Sequence, residues 1–221
     1  MFIRKHLKTC DSTNDVALAW VQAGAPHKSL VTCKKQTQGR GRQGRTWLQD
    51  AGSLAFSIIL RPQVPLAEAS KITLLTAIAL SKTLQLLDLK TLIKWPNDLL
   101  LLDHRKCAGI LTEAHSTGNQ LDAVIIGIGI NVVRSRNSPA EYGYLSDEGY
   151  LGNKTDFFDL VLPALESYLD PFDFKAGFKY LKKHSATLGK PIFGGLAVDI
   201  NPDGSLLIQD PQGNLNSIYN Y

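Results

Sequence analysis

Gly39-Arg40-Gly41-Arg42-Gln43-Gly44-Arg45-Thr46-Trp47 packs three glycines and three arginines into nine residues. Glycine reaches positive φ and lets the backbone come close to a ligand, and arginine offers a planar fork of donors suited to phosphate and carboxylate. The stretch therefore reads as a loop that holds a polyanion. Its glycines also match G-x-G-x-x-G, and the fold assignment depends on whether that match is real. A dinucleotide fingerprint needs a strand before it, a helix directly after it and an acidic residue about 20 residues on. The strand is present at Leu30-Val31-Thr32-Cys33, but the helix is not: Arg45-Thr46-Trp47 leads to a turn at Asp50-Ala51-Gly52 and a strand-like run, Leu54 to Leu60. With no helix N-terminus to seat a pyrophosphate, the doubly wound dinucleotide fold is excluded. A P-loop is excluded as well, because no Gly-Lys-Ser/Thr closes the glycine run.

Upstream of the loop, residues 2–9 alternate as a strand. The capping oxygens of Asp11-Ser12-Thr13-Asn14 then precede the apolar positions Val16, Ala17, Leu18, Trp20 and Val21, which marks a helix start. Gly24-Ala25-Pro26 ends that helix, and residues 29–36 form the strand that feeds the loop. Downstream, residues 53–61 are apolar enough for an interior strand. Pro65 to Leu87 carries helical spacing at Ile72, Leu75, Ile78, Ala79, Lys82 and Leu86. Residues 91–95, 98–102, 107–114 and 121–133 follow as strands, the last three as an antiparallel meander. Residues 134–153 read as a long loop, a length often tied to function. Helices are expected near 155–169 and 173–184. At about 187–221 short apolar runs (192–193, 196–198, 206–208) alternate with Asn201-Pro202-Asp203-Gly204 and Asp210-Pro211-Gln212-Gly213, which are hairpin signals. The chain thus divides into residues 1–186 and a small β module at 187–221.

Composition sets the outer limits. The 221 residues are 44% apolar and 20% charged, an ordinary globular balance in a chain able to bury a core. No apolar run nears the roughly 18 residues of a membrane span, and the N-terminus lacks a signal-peptide core. The three cysteines, Cys10, Cys33 and Cys107, form no close pair, which argues against a zinc site or a disulfide framework and for a cytoplasmic protein. The formal net charge is +4. Lys34, Lys35, Arg40, Arg42 and Arg45 account for much of the excess, so a local anion site explains it as well as a nucleic-acid surface would. The stretch before the strand that feeds the glycine loop holds one strand and one helix, too little for a separate DNA-binding module.

Four further segments bear on chemistry. Ser12-Thr13-Asn14 is either a plain helix cap or a cap that also lines a pocket. Lys94-Trp95-Pro96-Asn97-Asp98 is a turn whose tryptophan could wall a ligand and whose Asp98 could bind Mg²⁺. In Arg105-Lys106-Cys107-Ala108-Gly109-Ile110-Leu111 the lysine opens an apolar strand, either as a solvated strand end or as a fixed charge for an anion. Cys107 beside it has no evident histidine partner. Gly127-Ile128-Gly129-Ile130-Asn131-Val132 puts glycines inside a strand, a sign of close backbone approach by a ligand, and adds a buried amide in need of partners.

Taken in order along residues 8–133, these five segments resemble the catalytic domain of the biotin–protein ligases (biotin–[acetyl-CoA-carboxylase] ligases), and a small C-terminal β domain extends the likeness. The resemblance implies an α/β (α+β) fold, a mixed sheet flanked by helices in a class II synthetase-like domain, followed by a small SH3-like β module. It implies two steps: biotin and Mg·ATP give biotinyl-5′-AMP and pyrophosphate, and a lysine of a biotin carboxyl carrier domain then displaces AMP. Lys106 and Arg42 match the catalytic positions. Ser12, Thr13, Asn14, Gln36, Arg40, Gly41, Arg42, Lys106 and Gly109 match the biotin site. Arg40, Arg42, Arg45, Trp47, Asn97 and Asn131 match the ATP site, and Asp98 the Mg²⁺ site. The partners implied are biotin, ATP and the carrier domain of a biotin-dependent carboxylase, with no DNA and no membrane; a homodimer stays open.

Three departures accompany the match. Gln43 stands where many relatives carry an arginine, so it is not expected to be essential. With no helix-turn-helix before the domain, the monofunctional type is expected. Residues 188–195 leave little room for an extra hairpin, so the C-terminal module is expected to be shorter than a full barrel. Two alternatives remain: a lipoate ligase or octanoyltransferase of the same fold, using Cys107 as nucleophile, or a non-catalytic biotin-responsive regulator.

Overall fold

A computed structural model describes residues 2–169 and 174–219. Residue 173, the expected start of the second C-terminal helix, and the last two residues of the chain lie outside the described residues. The elements in order are β1 (Ile3–Cys10), α1 (Thr13–Gln22), β2 (Ser29–Gln36), β3 (Ser53–Leu60), α2 (Ala69–Gln85), β4 (Leu92–Lys94), β5 (Asp98–Leu100), β6 (Lys106–Thr117), β7 (Gln120–Asn131), α3 (Lys154–Leu169), α4 (Phe174–Lys183), β8 (Pro191–Ile192), β9 (Gly195–Ile200), β10 (Leu206–Gln209) and β11 (Leu215–Ile218). The long helical pattern from Pro65 opens as a short 3-10 turn at Leu66–Glu68 before α2 begins. The long loop at 134–153 holds a second such turn at Leu145–Glu148. Strand β11, in a mostly polar stretch, has no counterpart among the expected strands.

Seven strands form one mixed sheet in the order β1-β2-β3-β7-β6-β5-β4. Only β1 and β2 run parallel, joined by the α1 crossover, and the remaining pairs are antiparallel. Side chains alternate across each strand, so the sheet has two coated faces. Leu30, Phe56, Ile58, Ile126, Ile128 and Ile130 join the large core shared with α2 and α3. Val31, Ile59 and Ile125 face α1, whose Ala17 is fully buried against them. Helix α2 is apolar nearly all round, and the hydroxyls of its buried Thr76 and Thr83 donate to the carbonyls of Ile72 and Ala79, both at 2.8 Å. Those bonds satisfy the two hydroxyls without outside partners.

Strands β8 to β11 make a separate antiparallel sheet with β11 and β8 at its opposite edges. Among the described residues it is open rather than closed, with no pairing between β8 and β11. Phe193, expected in a strand, instead forms a turn with Gly194, at φ 51° and 78°. This sheet is fastened to the main one: Ala197, Ile200, Leu206 and Ile208 enter the large core. The Trp95 indole N–H donates to the Gly204 carbonyl at 3.0 Å, and the Trp95 backbone N–H donates to the Thr187 hydroxyl at 2.9 Å. No described helix is long and apolar enough to cross a membrane.

Candidate active site

The glycine–arginine stretch folds as a hairpin, in keeping with the expected absence of a helix. Trp47 N–H donates to the Gly39 carbonyl at 2.8 Å, Gly41 N–H to the Arg45 carbonyl at 2.7 Å, and Arg45 N–H to the Arg42 carbonyl at 3.1 Å. Arg40 and Thr46 pair as an antiparallel bridge. At the tip, Gln43 (φ 55°) and Gly44 (φ 72°) are both left-handed, the geometry of a type I′ turn. Gln43 is therefore the first central residue of the turn, and Gly44 takes the second without strain.

This hairpin lies over a cavity of about 560 Å³, within the usual size of a ligand site. The cavity sits on the α1 side of the sheet, beyond the N-terminus of α1. Ser12, Thr13, Asn14, Gln36, Arg40, Gly41, Arg42, Arg45, Trp47, Asn97, Asp98, Lys106 and Gly109 all line it. Asn131 does not. It is 3% exposed and lies behind the wall, where its Oδ1 accepts from the Ser53 hydroxyl at 3.0 Å and its Nδ2 reaches the Lys106 carbonyl at 3.4 Å. Asn131 is thus a brace for the residue that opens β6, and, unlike the other residues expected at the ATP site, it does not line the cavity.

Glycines pave the floor: Gly109, Gly127 and Gly129 share one sheet face, with Gly109 opposite Gly129. The space above them holds the protein's own side chains. A Cβ on Gly127 would run into the Asn14 amide, and one on Gly129 into the Trp47 indole. The ligand approach expected from these glycines is, in this structure, an approach by Asn14 and Trp47. The Trp47 indole N–H is buried and has no acceptor among the described residues.

One end of the cavity is a network of neutral donors and acceptors. Ser12 caps α1, accepting from Asn14 N–H at 3.3 Å. Gln36 Oε1 accepts from the Thr13 backbone N–H at 2.7 Å and from its hydroxyl at 3.1 Å. The buried Ser57 hydroxyl lies 2.6 Å from Asn14 Oδ1, to which it donates, and 2.8 Å from Thr13 Oγ1. Sequence reasoning missed Ser57, although a serine within Leu54 to Leu60 is a polar break in an apolar strand. The cap and pocket readings of Ser12-Thr13-Asn14 both hold: the triplet starts the helix and faces the cavity.

The other end is charged. Lys106 Nζ pairs with Asp98 Oδ1 at 2.6 Å and lies 5.8 Å from the Trp47 ring centre. Lys106 is therefore a cavity cation and not a solvated strand end. Burial lowers the Arg42 pKa, with Arg45 adding to the effect and Asp98 opposing it; the guanidinium stays charged at neutral pH. Arg40 is placed differently. Its guanidinium is held between Asp15 on α1 and Glu113 on β6. Burial opposes its charge, but the two carboxylates outweigh that and raise its pKa. Asn97 braces the wall, its Nδ2 donating to the Ile110 carbonyl at 3.0 Å. Asp98 is the one carboxylate among the lining residues, and no group of three or more His, Cys, Asp or Glu able to hold a metal exists among the described residues.

Cys107 lies on the opposite side of β6 from the cavity, in the large core. Burial pushes its thiol pKa up to about 12, so it is an inert thiol at neutral pH, not a placed nucleophile. The loop at 134–153, for which the sequence offered no motif, is fastened by ion pairs and charged hydrogen bonds. Asp147 accepts from Arg134 at 2.8 Å and pairs with Arg105 at 2.9 Å. Asp50 accepts from the Ser138 and Tyr144 hydroxyls, both at 2.6 Å. The C-terminal sheet also reaches the cavity, through Ile192, Phe193, Ile218 and Tyr219. No short motif carries these four, and their closeness to the glycine hairpin arises only on folding.

The sequence pattern of the biotin/lipoate A/B protein ligase family matches residues 7–131. The chain is 33% identical over 228 residues to a biotin–[acetyl-CoA-carboxylase] ligase of Paracoccus denitrificans, covering 94% of each protein. It is 41% identical over 128 residues to the bifunctional ligase/repressor BirA of Bacillus subtilis, but that match covers 57% of this chain and 39% of the relative. Among solved structures, a biotin protein ligase from Aquifex aeolicus in complex with biotin and ATP superposes with a TM-score of 0.80 at 27% identity, covering 98% of this chain and 95% of that one.

Proposed function

The chain belongs to the biotin/lipoate A/B protein ligase family and within it to the biotin protein ligases, and from that premise we propose how its cavity works and what it acts on. It is an ATP-dependent ligase that uses biotin and ATP, in this reading by way of biotinyl-5′-AMP. The acceptor in this reading is a lysine of a biotin carboxyl carrier domain. The observation that carries the assignment of roles is the polarity of one cavity, with neutral donors and acceptors at Ser12, Thr13 and Gln36 at one end and the cations Arg42 and Lys106 at the other.

A ureido ring needs donors for its carbonyl and acceptors for its N–H groups, and hydroxyls and an amide supply both. Asn14, with every polar atom already bonded, is a fixed wall on that side. In the first step a biotin carboxylate oxygen bonds to the α-phosphorus of ATP while the bond to pyrophosphate breaks. Two anions must meet, so cations placed beforehand at the meeting point lower the barrier. Lys106 and Arg42 take that role, and Arg45, Trp47 and Asn97 line the nucleotide's side. An arriving anion competes with Asp98 for Lys106. In the second step the acceptor amine attacks the acyl carbon, the bond to AMP breaks and the amine loses a proton. The attacking group comes from the acceptor, so no enzyme nucleophile is needed and Cys107 can stay buried. The remaining work is orientation.

Mg²⁺ fits this site as a companion of the triphosphate and not as a caged ion, since a single carboxylate faces the cavity. Bound there, it would be held by Asp98 and phosphate oxygens and would neutralise phosphate charge. Residues 1–186 form the catalytic part in this reading, and 187–221 a module that completes the rim of the cavity.

The test uses labelled biotin, ATP and a carrier domain. The wild-type chain should label the carrier, and an unlabelled carrier would refute the assigned acceptor. Lys106→Ala should lower biotinyl-AMP formation by about a hundredfold or more while the thermal melt keeps its cooperativity. Unchanged pyrophosphate release from that variant would remove Lys106 from its role.

A further inference from the structure

Glu113 lies outside the cavity lining and belongs to no motif, yet it touches two parts of the site at once. Its Oε2 accepts from Asn14 Nδ2 at 2.6 Å, and its Oε1 pairs with the Arg40 guanidinium. The first contact governs the neutral end of the cavity. The Asn14 amide donates to the Leu111 carbonyl and to Glu113 and accepts from Ser57. Two acceptors on one side and a donor on the other permit a single amide orientation. The second contact governs the hairpin, because Arg40 follows Gly39 and pairs with Thr46 across the loop. Asp15, next to Asn14 on α1, takes the other side of the same guanidinium.

We propose that Glu113 is a positioning residue that couples the glycine–arginine hairpin to the biotin end of the cavity, so that ordering one part favours the other and the adenylate is retained between the two half-reactions. The proposal rests on the ligase reading above. A carboxylate is the group that can do this, since both of its oxygens accept and both neighbours donate. A glutamine has one acceptor and one donor, so in Glu113→Gln either Asn14 or Arg40 faces an N–H and loses its contact.

The experiment measures biotinyl-AMP release from the full chain together with KM for biotin and for ATP, in wild type, Glu113→Gln, Arg40→Ala and the double variant. Glu113→Gln should release adenylate about tenfold faster, the scale of losing a charge-assisted hydrogen bond at a partly exposed site. KM for biotin should rise, and KM for ATP, whose side of the cavity carries Arg42, Arg45 and Trp47 of the same hairpin, should rise with it. If Glu113 acts through Arg40, the double variant should release adenylate no faster than Arg40→Ala alone. Wild-type release and biotin KM in Glu113→Gln would overturn the proposal, even alongside a lowered melting temperature, and so would strictly additive effects in the double variant. A wild-type chain that makes no adenylate would refute the ligase reading and this proposal with it. Adenylate from wild type with unaltered release from Glu113→Gln refutes this proposal alone.

Discussion

The glycine floor gives the sharpest contrast between two substitutions that look alike in sequence. In Gly127→Ala the new Cβ meets the Asn14 amide, which is locked by Ser57, the Leu111 carbonyl and Glu113 and cannot move without breaking those bonds. Losing two or three hydrogen bonds at about 1 kcal/mol each, with about 1 kcal/mol of overpacking, less about 1 kcal/mol gained by replacing a strand glycine, leaves a cost of about 2–3 kcal/mol. For a chain of this size that is a fall in Tm of roughly 4–12 °C. In Gly129→Ala the Cβ meets Trp47 instead. That indole sits on a hairpin and its N–H has no acceptor to lose among the described residues, so it can swing aside for about 1 kcal/mol or less. Thermal and urea melts separate the two costs, and biotinyl-AMP formation shows their effect on the site. Gly127→Ala should raise KM for biotin and lower stability, whereas Gly129→Ala should impair adenylate formation with little loss of stability. A Gly127→Ala chain as stable as wild type with an unchanged KM for biotin would refute the claim that Asn14 is rigidly held.

Cys107→Ser should keep adenylate formation and carrier labelling, because the thiol is buried away from the cavity with its pKa near 12; a folded but inactive Cys107→Ser chain would instead point to acyl transfer through sulfur. Asp147 has its pKa held below the ordinary carboxylate range, first by the Arg134 hydrogen bonds. A carboxyl whose folded pKa is depressed adds stability above its unfolded pKa of about 3.9 and loses it as pH falls through the lower, folded value. Asp147→Asn should therefore cost about 1 kcal/mol or less at neutral pH, the scale of a solvent-screened ion pair, and the gap to wild type in urea midpoints should narrow as pH falls below the unfolded carboxyl pKa of about 3.9. A gap that is constant with pH would show that the charge of Asp147 is not what fastens the loop.

The local rules of the chain were readable because they depend on near neighbours. Ser12 as a cap, the stop at Gly24-Ala25-Pro26, the strand at 29–36 and the absent helix after Trp47 each follow from a few adjacent residues. Five short segments in order were enough for the family, since each contributes residues to the lining of the same cavity. Boundaries were less readable: Pro65 belongs to a turn before α2, and β11 is too polar to stand out by pattern. Gln43 reads as a lost arginine in sequence, whereas in the structure it is the left-handed residue of a turn.

What the sequence by itself determined was most of the element order, the absence of a helix after the glycine loop and the segments that supply most of the residues lining the cavity. The tertiary structure decided what those residues do to one another. It put Asn131 behind the wall, Cys107 in the core, Trp47 and Asn14 over the strand glycines, and the C-terminal sheet at the rim. It also joined Asn14 to Glu113, 99 positions apart, through a carboxylate that no local pattern marks. The physical reason is separation along the chain: propensity and periodicity act over a turn or a strand, while the charge pairs, close approaches and shared walls of this site form between segments that only packing brings together.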